Sequence, residues 1–343
     1  MISLYSLNCS KEWDTIVHSF RRYDVYYLSG YVKPFRIHGD GEPFLLYYNS
    51  AALRAIYVYM RRLTALPGWY DSITPYGYGG VLFEGDTSEE EKTKFLKEYL
   101  SVMEENHIVD NFVRYHPLLK NADPMRSFSE VIDLGQTVVM DLSNPEVIWD
   151  NITSKNRNMI RKAEKNGVKI FHGKDPILFN KFRIIYNGTM ERDQADPYYF
   201  FGEPFYSSLH QDLYDNYEMF YAVHEEKVIA MSIIIYANGQ MHYHLSGSLA
   251  DYRNLAPSNL LLYKAALWGY EKGFKTFHLG GGVGSGDDNL FKFKAAFNRN
   301  SDCRFSIGKQ IFDEERYYKL VEIKKRQDSS FDASSSFFPL YRA

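Results

Sequence analysis

Met241–Leu279, MHYHLSGSLADYRNLAPSNLLLYKAALWGYEKGFKTFHL, is the stretch whose reading decides the fold. Met241–Ser246 reads as a strand of aromatic, imidazole and long apolar side chains, closed by the small residues Ser246-Gly247-Ser248. A short polar loop, Asp251–Ala256, follows. Pro257 then suits the first position of a helix, and the apolar run to Lys272 stops at Gly273. Thr276–Leu279 is a further strand. Upstream, Glu218–His224 and Val228–Tyr236 are strands, and Asn238-Gly239 is a strong hairpin turn into Met241. Downstream, the glycine-rich loop Gly280–Gly286 leads to a short helix, Leu290–Phe297. Three antiparallel strands, a helix, a strand, a loop and a helix make a mixed sheet. They do not make the regular βαβ alternation of a dinucleotide-binding fold.

Further out, Ser154–Asn166 is a helix ended by Gly167, Val168–Phe171 a strand, and Asp175-Pro176 a helix start with Asp as cap. In the first half, Phe44–Tyr48, Ala52–Arg62, Asn111–Tyr115 and Thr137–Leu142 read as strands. The loop Thr74–Gly80 (TPYGYGG) separates the second from a helix whose start is the capping box Thr87…Glu90. Phe95, Leu96, Tyr99, Leu100 and Met103 form one apolar face on that helix. Phe305–Phe312 is a closing strand. No internal repeat is visible in the sequence. The expected class is α/β (α+β), with an N-terminal domain over 1–145, completed by 305–327, and a C-terminal domain over 146–304. The Ser-rich tail 328–343 is expected to be poorly ordered unless Phe337, Phe338 and Leu340 dock.

Composition narrows the function. With 343 residues, 45% of them hydrophobic, each half has enough apolar material for its own core. A net charge of −3 excludes a polyanion binder acting by bulk charge, so any nucleic-acid contact must be a local patch. The 29 Tyr and 24 Phe favour amphipathic grooves. Two cysteines, Cys9 and Cys303, give neither a metal-ligand spacing nor a disulfide framework. No signal peptide and no spanning helix are read, so the cytoplasm is the expected location.

Four places carry chemistry. The loop before Pro257 offers Arg253, and the helix start offers the N–H groups of Ser258 and Asn259, a setting for an anion. On Leu290–Phe297 (LFKFKAAF), Lys294 falls within the arc of Leu290, Phe291, Phe293 and Phe297. A lysine there snorkels, pairs or serves a ligand. On Ser154–Asn166, Arg157, Arg161 and Lys165 form a basic ridge suited to phosphates or to plain solvation. In the first half, Tyr76, Tyr78, Arg114 and His116 can hold a sugar-like or anionic group. His242 and His244 lack the further ligands of a metal site, and no metal is expected.

Taken in order, TPYGYGG (Thr74–Gly80), FVRYHPLLKN (Phe112–Asn121), SKNRNMIRKAEKNGVKI (Ser154–Ile170), YHLSGS (Tyr243–Ser248), Leu255–Gly282 and LFKFKAAF (Leu290–Phe297) resemble the FemAB family. These are the peptidoglycan-bridge or lipid II aminoacyltransferases of the GNAT acyltransferase superfamily. The resemblance implies two GNAT-like domains, each a mixed, largely antiparallel sheet flanked by helices. No heptad stretch lies between Lys174 and Asn216, so no coiled-coil arm is expected. It also implies attack by an amine on an aminoacyl-tRNA ester or an acyl-CoA thioester, with no resident cofactor. By motif position, Phe293 and Lys294 sit at the donor, with Lys294 facing a phosphate or the developing oxyanion; His244, by its residue type and place, is the expected proton acceptor. Arg253, Ser258, Asn259, Arg157 and Arg161 are the implied donor-binding residues. Tyr76, Tyr78, Arg114, His116 and Tyr243 form the implied acceptor groove.

The expected function is therefore transfer of an aminoacyl or acyl group onto an amine of a cell-wall (peptidoglycan) or sugar precursor. The acceptor is a muropeptide, lipid-linked or nucleotide-sugar molecule, with tRNA as a partner and peripheral contact with a membrane-bound precursor. An acetyl-CoA- or acyl-CoA-dependent N-acyltransferase of a polysaccharide pathway is the alternative within the same class. A non-catalytic GNAT-like ligand-binding protein and a pure RNA binder acting through the Arg157 ridge are the alternatives outside it.

Overall fold

Two separate sheets organise the chain in the computed structural model, which describes residues 1–343. The first belongs to a unit made of residues 1–134 and 305–343, the second to a unit made of 135–304. The division falls at Gly135 rather than after residue 145. The strand Val138–Asp141 pairs with Thr276–Gly280, so the chain has already entered the second sheet at that point.

In the second unit, the strands Lys169–Gly173, Tyr217–His224, Lys227–Ala237 and Gln240–Ser248 form an antiparallel meander. The expected hairpin at Asn238-Gly239 is present, and both residues have positive φ, +48° and +80°. That is the conformation a two-residue turn needs to match strand twist. The helix Pro257–Glu271 then carries the chain to Thr276–Gly280, which runs parallel to Gln240–Ser248. The helices Ser154–Lys165 and Pro257–Glu271 pack together, and Ile177–Arg192 packs on Gln240–Ser248. Buried Ile160, Ala163, Phe220, Ile234, Met241, Leu260, Leu261, Leu262, Ala265, Phe277 and Leu279 form one core.

The first unit repeats this order. Ile2–Ser6, Glu42–Asn49, Leu53–Leu63 and Tyr70–Ile73 form an antiparallel run. The helix Glu89–Glu105 then leads to Ile108–Arg114, which is parallel to Tyr70–Ile73. In each unit the last neighbour of the parallel pair is an antiparallel strand: Val138–Asp141 in one, Arg304–Ile311 in the other. The repeat is one of backbone order only, which is why the sequence hides it. Both sheets are mixed and largely antiparallel, flanked by helices, as expected.

Local details shift by a residue. The cap of Glu89–Glu105 is Ser88, which accepts from Glu91 N, and not Thr87. Asp175 caps through Ile177 N at 3.0 Å, with Pro176 between it and the helix. The tail belongs to the first unit. It is seated, with Tyr341 buried and Phe338 and Leu340 packed beside Tyr317 and Leu320, while Phe337 stays exposed.

Gly247 marks a close approach of the helix Ile177–Arg192 to the sheet. A Cβ there would lie 2.8 Å from Ile185 O and 2.8 Å from Tyr186 Cα. Gly247→Ala is expected to destabilise the protein by about 1–3 kcal/mol through that backbone clash. Gly188→Ala, in the same helix with nothing near its Cβ, is expected to stabilise it by roughly 0.5–1 kcal/mol. Urea unfolding of the two variants checks both signs.

Candidate functional site

The parallel strands of the second unit pair over only three positions, Gln240–Thr276, Met241–Phe277 and His242–His278. Gln240–Ser248 then runs on, held on its other edge by Lys227–Ala237 as far as Ser248–Ala230. Tyr243 faces Ile234 and Leu245 faces Ile233, so His244 is an extra residue, a β-bulge. A bulge bends the strand and steepens its twist. The two strands therefore part at their carboxyl ends, where open α/β sheets place ligands.

The helix Pro257–Glu271 follows this opening. Its cap residue, Ala256, is left-handed (φ +54°, ψ +44°) and provides no side-chain cap. A non-glycine residue in that region costs about 1–2 kcal/mol. Pro257 has no N–H, so the first donors of the helix are Ser258 and Asn259, with no acidic residue in the first turn. The positive end of the dipole is left for an anion. Arg253 lies next to it, exposed on the turn Ala250–Leu255. The Asn259 side chain is committed elsewhere. It donates to Asn156 Oδ1 at 2.8 Å, and Asn156 donates to Ala296 O at 3.2 Å, tying three helices together. Its contribution to donor binding is thus confined to its backbone N–H. The corresponding helix of the first unit is built the opposite way, with Ser88 as cap and Glu89, Glu90 and Glu91 in the first turn.

The glycine-rich loop and Lys294 form one assembly. Asp288 accepts from Phe291 N at 2.7 Å and from Val283 N at 3.0 Å, capping the helix Asn289–Ala295 and closing the loop onto it. A Cβ on Gly282 would meet Gly286 O at 2.3 Å, so only glycine fits. Lys294 is buried on the apolar arc that the sequence outlined, and its Nζ donates to Gly281 O at 2.7 Å. An ammonium has three N–H donors, so two remain. Burial pulls its pKa down to about 8, and Asp288 partly restores it. Phe293 lies edge-on to Phe297 at 5.5 Å and walls this helix.

His244 does not fit the role of strong proton acceptor. Burial, with His242 beside it, drives its pKa to about 3. The ring is neutral at physiological pH and far less basic than a general base needs to be. Tyr243, in the same unit, donates to Ser246 Oγ at 2.5 Å, and burial keeps its phenol protonated.

On Ser154–Lys165, Arg157 and Arg161 lie over Trp149 at 5.8 and 5.1 Å. The stacking orders two long cations on an otherwise exposed ridge shared with Lys162 and Lys165. Asp150 is 3.8 Å from Arg157, a loose contact.

The four first-unit residues are brought together. Gly77 has φ +93° and sits against the Tyr26 ring, where a Cβ would lie at 2.5 Å. Tyr78 packs on Tyr26 and Phe305 at 5.7 and 5.5 Å, and Tyr76 stacks on Phe35 at 5.4 Å. Asn121 holds the loop from behind, donating to Gly79 O at 2.9 Å. Arg114 lies 5.5 Å over Phe305, has no carboxylate partner, and its Nε is buried without a hydrogen bond. His116 is different. It is fully buried, accepts from Leu119 N at Nδ1 (3.2 Å) and places Nε2 2.9 Å from Asp24. Its ring packs against Tyr26 and Tyr78 at 5.6 and 5.9 Å. Sequence reasoning missed Asn121, Asp24 and Asp288, whose roles depend on partners far away or on a loop geometry with no local signature.

The Lys294 assembly makes a direct prediction. Lysine ε-carbon NMR should show one amine titrating near pH 8. Asp288→Asn should move that midpoint lower, because it removes the charge that favours the ammonium.

The sequence of residues 154–294 matches the Acetyltransferase (GNAT) domain family. No curated protein matches the chain in sequence. Among solved structures, FemX is similar over 93% of this chain and 100% of its own, at 13% identity and a TM-score of 0.70. A conserved protein of unknown function from Bacteroides thetaiotaomicron gives 0.61 at 11% identity, over 90% of this chain and 100% of its own. The C-terminal domain of a putative lysylphosphatidylglycerol synthetase from Agrobacterium fabrum gives 0.57 at 15% identity, over 88% and 92%. No helix is long and apolar enough to cross a membrane. The divergent strands, the uncapped helix and the Lys294 loop thus lie within the stretch that matches the Acetyltransferase (GNAT) domain family, in a chain whose two-sheet fold is similar to that of FemX.

Proposed function

We propose that this protein transfers an aminoacyl or acyl group from an activated donor onto an amine of a cell-wall or sugar precursor, with the donor held on the second unit. The contrast between the two helix starts carries the reading. Ser258 and Asn259 present unopposed N–H groups to an anion, whereas Glu89, Glu90 and Glu91 repel one.

In the reaction the neutral acceptor amine attacks the donor carbonyl. A C–N bond forms, the C–O or C–S bond breaks, and the amine proton leaves with the alcohol, the thiol or water. The two remaining Lys294 donors face the oxygen that gains charge, and below about pH 8 they carry a full positive charge with them. His244 shapes the bulge and takes no proton. Arg114, over Phe305 and with no carboxylate partner, holds an anionic group of the acceptor.

The ordered pair Arg157 and Arg161 favours a polyanionic donor, aminoacyl-tRNA, over acyl-CoA. The name of one structural neighbour, a putative lysylphosphatidylglycerol synthetase, agrees with aminoacyl transfer and with a lipid-linked acceptor.

Transfer assays pairing charged tRNA or acyl-CoA with UDP-linked muropeptides and amino sugars test the proposal. Lys294→Met is expected to lower kcat about 10²-fold with the fold intact. Arg114→Ala is expected to raise the acceptor KM at least about tenfold with kcat little changed. A Lys294→Met protein that keeps full acceptor binding, with no transfer detectable even in the parent protein, points instead to a ligand-binding module.

A further inference from the structure

We propose that the C-terminal segment is a latch on the first unit, seated on Asp71 and Asp110 while Asp110 is protonated and loosened when Asp110 ionises. The chain ends in the turn Leu340–Arg342, and nothing in the transfer chemistry uses it. Tyr341 Oη donates to Asp110 Oδ2 at 2.6 Å and lies 3.1 Å from Asp71 Oδ2. Arg342 donates to Asp71 and, at 2.7 Å, to Leu63 O. Arg62 holds Asp71 from the neighbouring strand with two bonds of 2.7 and 3.0 Å. Phe338 stacks on Tyr317, and Leu340 N donates to Tyr317 Oη at 3.0 Å.

This leaves the two carboxylates unequal. Asp71 has two arginines. Asp110 is 0% exposed, has one hydroxyl, and its Oδ1 has no hydrogen-bond partner at all. It sits in an irregular stretch of strand, because Tyr70 pairs with Ile108 but Ser72 pairs with Asn111. An ionised carboxylate with an empty, desolvated oxygen is costly, and a protonated one is not. The groups facing it are Asp71 and Arg62 from the sheet, Tyr341 and Arg342 from the tail, and Tyr317 from the helix Glu314–Gln327. Burial chiefly, and Asp71 in addition, raise its pKa to about 7, while Tyr341, Arg62 and Arg342 pull the other way.

With the tail away, Asp110 meets water and ionises in the ordinary carboxylate range. Seating therefore takes up a proton between about pH 4 and pH 7. It is strongest at low pH and weakens as pH rises through that window. The latch lies under the acceptor residues. Tyr70–Ile73 continues directly into the Thr74–Gly80 loop, and Ile108–Arg114 ends at Arg114.

Hydrogen exchange of residues 328–343 in the full chain, corrected for intrinsic rates, tests the latch. Protection is expected to fall about tenfold between pH 6 and pH 8.5. In Asp110→Asn it should not change over that range. Tyr341→Phe keeps the ring but removes the donor that lowers the Asp110 pKa, so the midpoint should move upward. A pH-independent tail in the parent protein, an equal fall in Asp110→Asn, or an unmoved midpoint in Tyr341→Phe would overturn the proposal. Should Asp110→Asn fail to fold, the parent and Tyr341→Phe results still decide it.

Discussion

The second unit depends on a parallel pairing that ends after three residues. Gln240–His242 and Thr276–His278 hold together, and then the strands part. The bulge at His244 makes the parting unavoidable, because one extra residue in Gln240–Ser248 re-aims everything beyond it. The left-handed Ala256 and Pro257 set the crossover helix with its bare N-terminus after that opening. Thr276–Gly280 leads into the loop that Lys294 and Asp288 hold. A fully zipped pair would leave no crevice, and the glycine loop would have nothing to line.

The first unit has the same strand order but different electrostatics. Its crossover helix is capped by Ser88 and opens with three glutamates. Duplication of a fold therefore does not duplicate a donor site. What the first unit offers instead is an aromatic setting around an unpaired arginine, Arg114, braced by Asn121 and the buried Asp24–His116 pair.

Much of this was legible in the residues. Asn238-Gly239, Pro257 and Gly273 punctuate the second sheet through local backbone preferences that any context preserves. Lys294 stood out because a charge on an apolar helical arc needs a reason, and Gly281 O supplies one. The features that were not legible depend on distant partners. Nothing local places the extra residue at His244, which is defined only against Ile233 and Ile234. Nothing local shows that Val138–Asp141 joins the second sheet, or that Tyr341 finds Asp110 across 231 positions of sequence. Nothing local shows that His116 pairs with Asp24, which lies far upstream. Thr87 and Ser88 compete for one cap, and only the backbone path into the helix decides between them.

The central claim is that the donor is held by the second unit alone, at the bare helix start and the Lys294 loop. Hydrogen-exchange footprinting of the full chain with a non-transferable acyl-CoA analogue, and separately with a stable aminoacyl-tRNA analogue, tests it most directly. The account predicts that at least one of them protects Ser258–Leu260 and Gly280–Lys294, leaving Glu89–Lys92 unchanged. Protection at Glu89–Lys92, or no protection at Ser258–Leu260 by either donor at saturating concentration, would contradict it.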